Sequence, residues 1–246
     1  MNSSRDIGRR EAIRAMGAAG AALAFGCGGG NPTSPSSLTS TGTAAGTTNA
    51  ACAVTPSETV GPYPSLSELF RSDIREGRSG TTLTLTITVV DSSSNCSPVA
   101  NANVKIWQCD AAGNYSQYGT QTAQTYLRGI QTTNANGEVT FTTIYPGWYQ
   151  GRATHIHVEV VRNGTSVKVT QIAFPEDVTA AVYAAGVYAS RGSNPTSNAR
   201  DNVFADSLAS ELAMVSGSPS SGYTASFRVA VAGDSVARTS PGPWSN

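Results

Sequence analysis

Thr81-Thr-Leu-Thr-Leu-Thr-Ile-Thr-Val-Val90 alternates hydroxyl and aliphatic side chains with a period of two. Successive side chains of a strand point to opposite faces, so this stretch reads as a half-buried strand with its aliphatic residues inward. Asp91-Ser-Ser-Ser-Asn-Cys-Ser-Pro98 follows as a turn. Strand patterning resumes at Asn103-Val-Lys-Ile-Trp-Gln-Cys109 and, after a turn at Asn134-Ala-Asn-Gly137, at Gly137-Glu-Val-Thr-Phe-Thr-Thr-Ile144. His155-Ile-His-Val-Glu-Val-Val161 turns through Arg162-Asn-Gly164 into Ser166-Val-Lys-Val-Thr-Gln-Ile-Ala-Phe174. Asn-Gly supplies the positive φ that a tight hairpin needs. Tyr223-Thr-Ala-Ser-Phe-Arg-Val-Ala-Val231 closes the set. Short strands at this spacing predict an all-β fold, an antiparallel β-sandwich. Between Pro175 and Val215 the pattern loosens into short helices and loops outside the sandwich.

The chain has 246 residues, of which 13% are charged, and a net charge of zero. No basic cluster marks the body of the chain, which argues against nucleic acid as a partner. Residues 1–27 read as an export signal: Arg5, Arg9, Arg10 and Arg14 precede a weakly apolar run from Ala15 to Phe25 that is too short to span a bilayer. Arg9-Arg10 is a twin-arginine pair, and Ala24-Phe-Gly-Cys27 resembles a lipoprotein cleavage site with Cys27 as the lipidated residue. Residues 28–51 carry no charge and are mostly Gly, Ser, Thr, Pro, Ala and Asn, the composition of a flexible tether. The folded domain is then 52–246. These features predict an exported protein, whether periplasmic, secreted or a cell-surface lipoprotein, touching a membrane only through an N-terminal lipid. Export makes a disulfide plausible. Cys52 and Cys96 lie in turn-like surroundings and are the favoured pair, whereas Cys109 ends a strand-like run and reads as a buried thiol.

The two histidines of the chain, His155 and His157, end the run Tyr149-Gln-Gly-Arg-Ala-Thr-His-Ile-His157. Residues i and i+2 of a strand share a face, so both imidazoles can meet one metal ion. Tyr149 and Arg152 lie just upstream on the loop that enters this strand. A phenolate beside two imidazoles favours a hard, oxidised metal such as Fe(III), whereas zinc sites are usually completed by thiolate or carboxylate. The plainer reading is a strand with two exposed histidines, and Arg152 then makes only a surface ion pair.

The rest of the segment weighs against the plainer reading. Over roughly residues 52–175 the chain resembles the intradiol ring-cleavage dioxygenases. Four segments carry the resemblance, in the family's order: Thr55-Pro-Ser-Glu-Thr-Val-Gly-Pro-Tyr63, Val104-Lys-Ile-Trp-Gln-Cys-Asp-Ala-Ala-Gly-Asn-Tyr115, Thr143-Ile-Tyr-Pro-Gly-Trp-Tyr-Gln-Gly-Arg-Ala-Thr-His-Ile-His157 and Thr170-Gln-Ile-Ala-Phe-Pro175. The third is specific, and the others gain weight from their order. The resemblance implies non-haem Fe(III) held by two tyrosinates and two histidines, and identifies Tyr149, His155 and His157 as three of the four ligands. The first tyrosinate belongs in the turn after the Trp107-Gln108 strand. Tyr118 is chosen there because it lies farther from the strand end and so has more reach; Tyr115 is then a packing aromatic and Tyr126 a remoter candidate. Arg152 would face the ring and support developing charge, Gln171 would hydrogen-bond nearby, and Gly61, Pro62 and Tyr63 would line the substrate mouth.

The implied activity is opening of a catechol-type ring between its two hydroxyls by O2, giving a muconate-type diacid. Tyr149 would help to deprotonate the substrate. The short chain looks closer to the protocatechuate-type catalytic core and to short secreted members than to the dimeric catechol enzymes with their helical N-terminal region. The rival reading, from another class, is a cell-surface binding module of sandwich type whose metal is structural or absent.

Overall fold

The computed structural model describes residues 52–233. The export signal, Cys27 and the 28–51 tether lie outside the described residues. Two sheets pack face to face. One contains β1 (Thr82–Asp91), β2 (Ser97–Pro98), β5 (Glu138–Ile144), β8 (Met214–Ser218) and β9 (Gly222–Val231). The other has the order β4 (Arg128–Thr132), β3 (Asn103–Trp107), β6 (His155–Arg162), β7 (Thr165–Ala173). Helices α1 (Glu176–Tyr183) and α2 (Leu208–Glu211) fall in the irregular 175–213 region.

Alternation in β1 puts Leu83, Leu85, Ile87 and Val89 fully inside, while Thr84, Thr86 and Thr88 stay partly exposed. The facing sheet supplies Val104, Ile106, Ile156, Val158 and Val160 to the same core. Each such side chain contributes about 1.5–3 kcal/mol by leaving water. The β6–β7 turn places both Asn163 (φ 51) and Gly164 (φ 77) at positive φ, the geometry that a two-residue hairpin turn demands.

One strand pair departs from the antiparallel expectation. β1 and β9 run parallel, in register from Leu83↔Tyr223 to Asp91↔Val231. Alternation reports which face is buried and carries no strand direction. Direction here is set by the long connection between the first and last strands, with no hairpin to reverse it.

The register of β6 decides where the chemistry sits. Ile156, Val158 and Val160 face the inter-sheet core, so His155 and His157 must project from the other side of the four-stranded sheet. The segment 55–63 covers that side after running along the free edge of β7. Thr55 and Ala230 exchange hydrogen bonds (Thr55 N to Ala230 O 3.0 Å, Ala230 N to Thr55 Oγ1 2.8 Å), and Glu58 N donates to Val169 O at 2.9 Å. Buried Lys168 donates to Thr55 O at 2.6 Å and to Ser57 Oγ at 2.8 Å. A Cys52–Cys96 disulfide (Cα–Cα 5.5 Å) ties the start of this segment to the turn after β1. Cys109 is a buried free thiol, pushed up to about 12 by burial and then by Asp110.

Candidate metal centre

Sheet register builds the first half of the site. His157 pairs with Trp107 of β3 on one side and with Gln171 of β7 on the other. The Trp107 indole stacks on the His157 ring (centroids 4.9 Å, planes 3° apart). His155, one β6 pleat away, turns its Nδ1 to Ala153 O at 2.6 Å. A carbonyl only accepts, so Nδ1 carries the proton and the neutral ring's Nε2 lone pair points into the site. Burial, then Arg152, lowers His155 to about 3; burial, then His155, lowers His157 well below its ordinary value. Both imidazoles are therefore neutral, the form that binds a metal.

Loops supply the other half. From His155 Nε2, the His157 Nε2 lies at 3.2 Å, the Tyr149 hydroxyl at 3.3 Å and the Tyr115 hydroxyl at 3.5 Å. The Tyr115 and Tyr149 rings meet edge to face at 5.7 Å, and the Arg152 charge acts on Tyr149. Burial raises both phenols, with Cys109 adding to it at Tyr115, while Arg152 draws Tyr149 partly back. Two imidazole nitrogens and two phenol oxygens thus share one buried point.

Tyr118, chosen on reach, is not part of this convergence. Asp110 Oδ1 accepts from Ala112 N (3.0 Å) and Asn114 N (2.9 Å), and Gly113 takes φ 85, so the chain doubles back at once. That tight turn delivers Tyr115 beneath the sheet face. Tyr118 instead donates to Pro64 O at 2.9 Å, and Tyr126 lies 3.4 Å from Asp110 Oδ2 under the Arg78 guanidinium. The correction has a simple cause: a short loop needs no reach when its turn already points inward.

Arg152 is held from two sides. Its Nε donates to Asp201 Oδ2 at 2.9 Å and its second terminal nitrogen to Gln171 Oε1 at 2.5 Å. Gln171 passes the contact on, donating to Thr59 O at 2.9 Å. Gly61 adopts φ 73, and a Cβ there would stand 2.8 Å from His157 Cε1, so backbone rests directly on the imidazole. Tyr63 stacks on Tyr115 (4.6 Å) and meets Tyr149 edge-on (6.0 Å). Pro62 is exposed beside them. Arg128 is fully buried behind the tyrosines; it donates to Ser116 Oγ (2.9 Å), Ser116 O (2.7 Å) and Tyr63 O (3.0 Å). Asp201 and Arg128 were not legible as site residues, because only the fold brings them here.

The donor set fits a ferric ion. Among the described residues no three His, Cys, Asp or Glu side chains gather into a metal-holding group, so any ion at the histidine pair must take the phenol oxygens. Phenols raised by burial stay protonated until a cation claims their oxygens, and binding then releases the protons. Phenolate oxygens are hard anionic donors, and with two neutral imidazoles they suit a hard, oxidised ion such as Fe(III).

The sandwich thus carries two imidazole nitrogens and two phenol oxygens together on the outer face of one sheet. The family model described as "Dioxygenase" matches residues 64–232. An intradiol ring-cleavage dioxygenase from Tetranychus urticae is 31% identical, with a TM-score of 0.67, over 74% of this chain and 95% of that one. The dioxygenase domain of a dioxygenase carbohydrate-binding protein fusion from the cellulolytic bacterium Streptomyces sp. SirexAA-E is 29% identical, with a TM-score of 0.56, over 73% of this chain and 98% of that one. Catechol 1,2-dioxygenase from Pseudomonas arvilla C-1, at 20% identity and a TM-score of 0.54 over 74% of this chain and 63% of that one, shares the fold. No curated protein sequence matches. The chain belongs to the intradiol ring-cleavage dioxygenase family.

Proposed function

We propose that the protein is a non-haem Fe(III) dioxygenase that opens catechol-type rings with O2 to muconate-type diacids, with Tyr115, Tyr149, His155 and His157 as its iron ligands. The observation that carries this reading is the convergence of the four donor atoms, with His157 Nε2, Tyr149 and Tyr115 all within 3.5 Å of His155 Nε2. When bound, the ferric ion supplies Lewis acidity toward the oxygens of a chelating catechol. Tyr149 is the base for one catechol proton: it is only partly buried, and the nearby Arg152 charge favours its anion. Arg152 presents a fixed donor to charge that develops on the opening ring. Gly61, Pro62 and Tyr63 wall the mouth. Gly61 admits the backbone close to His157, and the Tyr63 ring offers an aromatic face to a planar substrate.

A binding module needs no arginine held beside its metal, so the Asp201–Arg152–Gln171 arrangement favours the enzyme. Export of the chain, with Cys27 as a lipid anchor, belongs to the same proposal; the Cys52–Cys96 disulfide supports an oxidising destination. The test is oxygen uptake by the iron-loaded protein against a panel of catechols, with product ultraviolet spectra. A colourless protein that takes up no iron and consumes no oxygen with any catechol overturns the reading.

A further inference from the structure

Arg152 is separated from Asp201 by 49 positions in the chain, yet Asp201 is its closest carboxylate and is fully buried. Every polar atom of that carboxylate faces a donor: Oδ2 accepts Arg152 Nε at 2.9 Å and Ala153 N at 2.5 Å, and Oδ1 accepts Val203 N at 2.8 Å. The backbone of Asp201 is itself fixed, its N–H donating to Ser197 O at 3.1 Å. Phe204, three residues on and fully buried, lies under the guanidinium at 5.9 Å. The aspartate therefore grips both the Arg152 side chain and the backbone of the next residue, two positions ahead of His155.

We propose that Asp201 is the positioning residue for Arg152, and this inference rests on the catalytic reading of Arg152. An arginine has a flexible stem, and a donor helps catalysis only if its direction is set before charge develops. Asp201 takes the Nε edge and Gln171 takes one terminal nitrogen, so two partners on different atoms fix the plane of the guanidinium. The charge-assisted bond is stronger than the neutral one to Gln171, so Asp201 is the principal anchor. Asparagine at 201 keeps the shape but removes the charge on the Arg152 bond and sets an NH2 group against Val203 N or the Arg152–Ala153 pair, so the anchor weakens in either orientation.

Two measurements test this. In the metal-free protein, nitrogen-15 NMR should show the Arg152 Nε–H, assigned by its loss in Arg152→Lys, as exchange-protected; Asp201→Asn should lose that protection. In the iron-loaded protein, Asp201→Asn should lower kcat roughly 10- to 100-fold, the usual size for an outer-sphere partner, with little change in KM. On an Arg152→Ala background the same substitution should lower kcat no further, because its effect runs through the arginine. A rapidly exchanging Arg152 Nε–H in the wild-type protein overturns the proposal, and this needs no Asp201 variant to fold. Multiplicative losses in the double variant overturn it equally. If no catechol is turned over, the catalytic reading falls while the NMR result still decides whether Asp201 anchors Arg152.

Discussion

Tyr115→Phe and Tyr118→Phe should have crossed effects on colour and stability. Tyr118 donates to Pro64 O at 2.9 Å and touches none of the four donors, so its loss removes one ordinary hydrogen bond. Such a bond contributes about 0.5–1.5 kcal/mol net. In a domain of this size that lowers Tm by roughly 2–4 °C per kcal/mol. Tyr115 is 4% exposed, its ring stacks on Tyr63 at 4.6 Å, and its hydroxyl lies 3.5 Å from His155 Nε2. Phenylalanine fills the same ring space and relieves a buried phenol, so metal-free stability should change by less than about 1 kcal/mol. Iron, however, loses an anionic donor. Thermal unfolding of the metal-free proteins, iron per chain and the visible tyrosinate-to-iron band read the two effects separately. Tyr115→Phe should keep its Tm and lose iron and colour; Tyr118→Phe should keep its colour and lose a few degrees. Bleaching by Tyr118→Phe alone, with Tyr115→Phe still coloured, would refute the ligand assignment.

Arg152→Ala should retain iron and colour but lose about 3 kcal/mol of barrier lowering, roughly a hundredfold in turnover measured by oxygen uptake. Gly61→Ala must place its Cβ 2.8 Å from His157 Cε1 at φ 73, against an imidazole that already stacks on Trp107 at 4.9 Å. Its strain of roughly 1–3 kcal/mol should appear in denaturant unfolding together with reduced iron content; wild-type values for both would show that the 55–63 segment yields instead. Burial, then the Glu211 and Asp206 carboxylates, raise Glu58 from 4.5 to about 7. A raised carboxyl stabilises the fold below its unfolded value and loses that contribution as pH rises through the folded one. Glu58→Gln should therefore lose less stability than wild type between about pH 5 and about pH 8, and parallel curves from denaturant titrations would count against the shift.

Strand periodicity and the His-x-His spacing are local properties, and both were legible in the sequence. Leu83, Leu85, Ile87 and Val89 declare their buried face by alternation alone, and the same rule puts His155 and His157 on one side of β6. The Gly61-Pro62-Tyr63 and Tyr149 positions came with the family's motifs, whose order survives in the chain. Strand direction did not come through: β9 lies parallel to β1 because distant chain ends meet, and a period-two pattern reads the same both ways. The choice between Tyr115 and Tyr118 turned on the inward bend made by Asp110 and Gly113, which reach along the sequence cannot show. Asp201 has no marker at all, since a carboxylate 49 residues from its arginine becomes a partner only when the 197–204 segment packs beside β6. Local periodicity decides which side of a strand is wet or dry. Contacts between segments far apart in the chain depend on how the sheets close, and that is set by the packing of the whole domain.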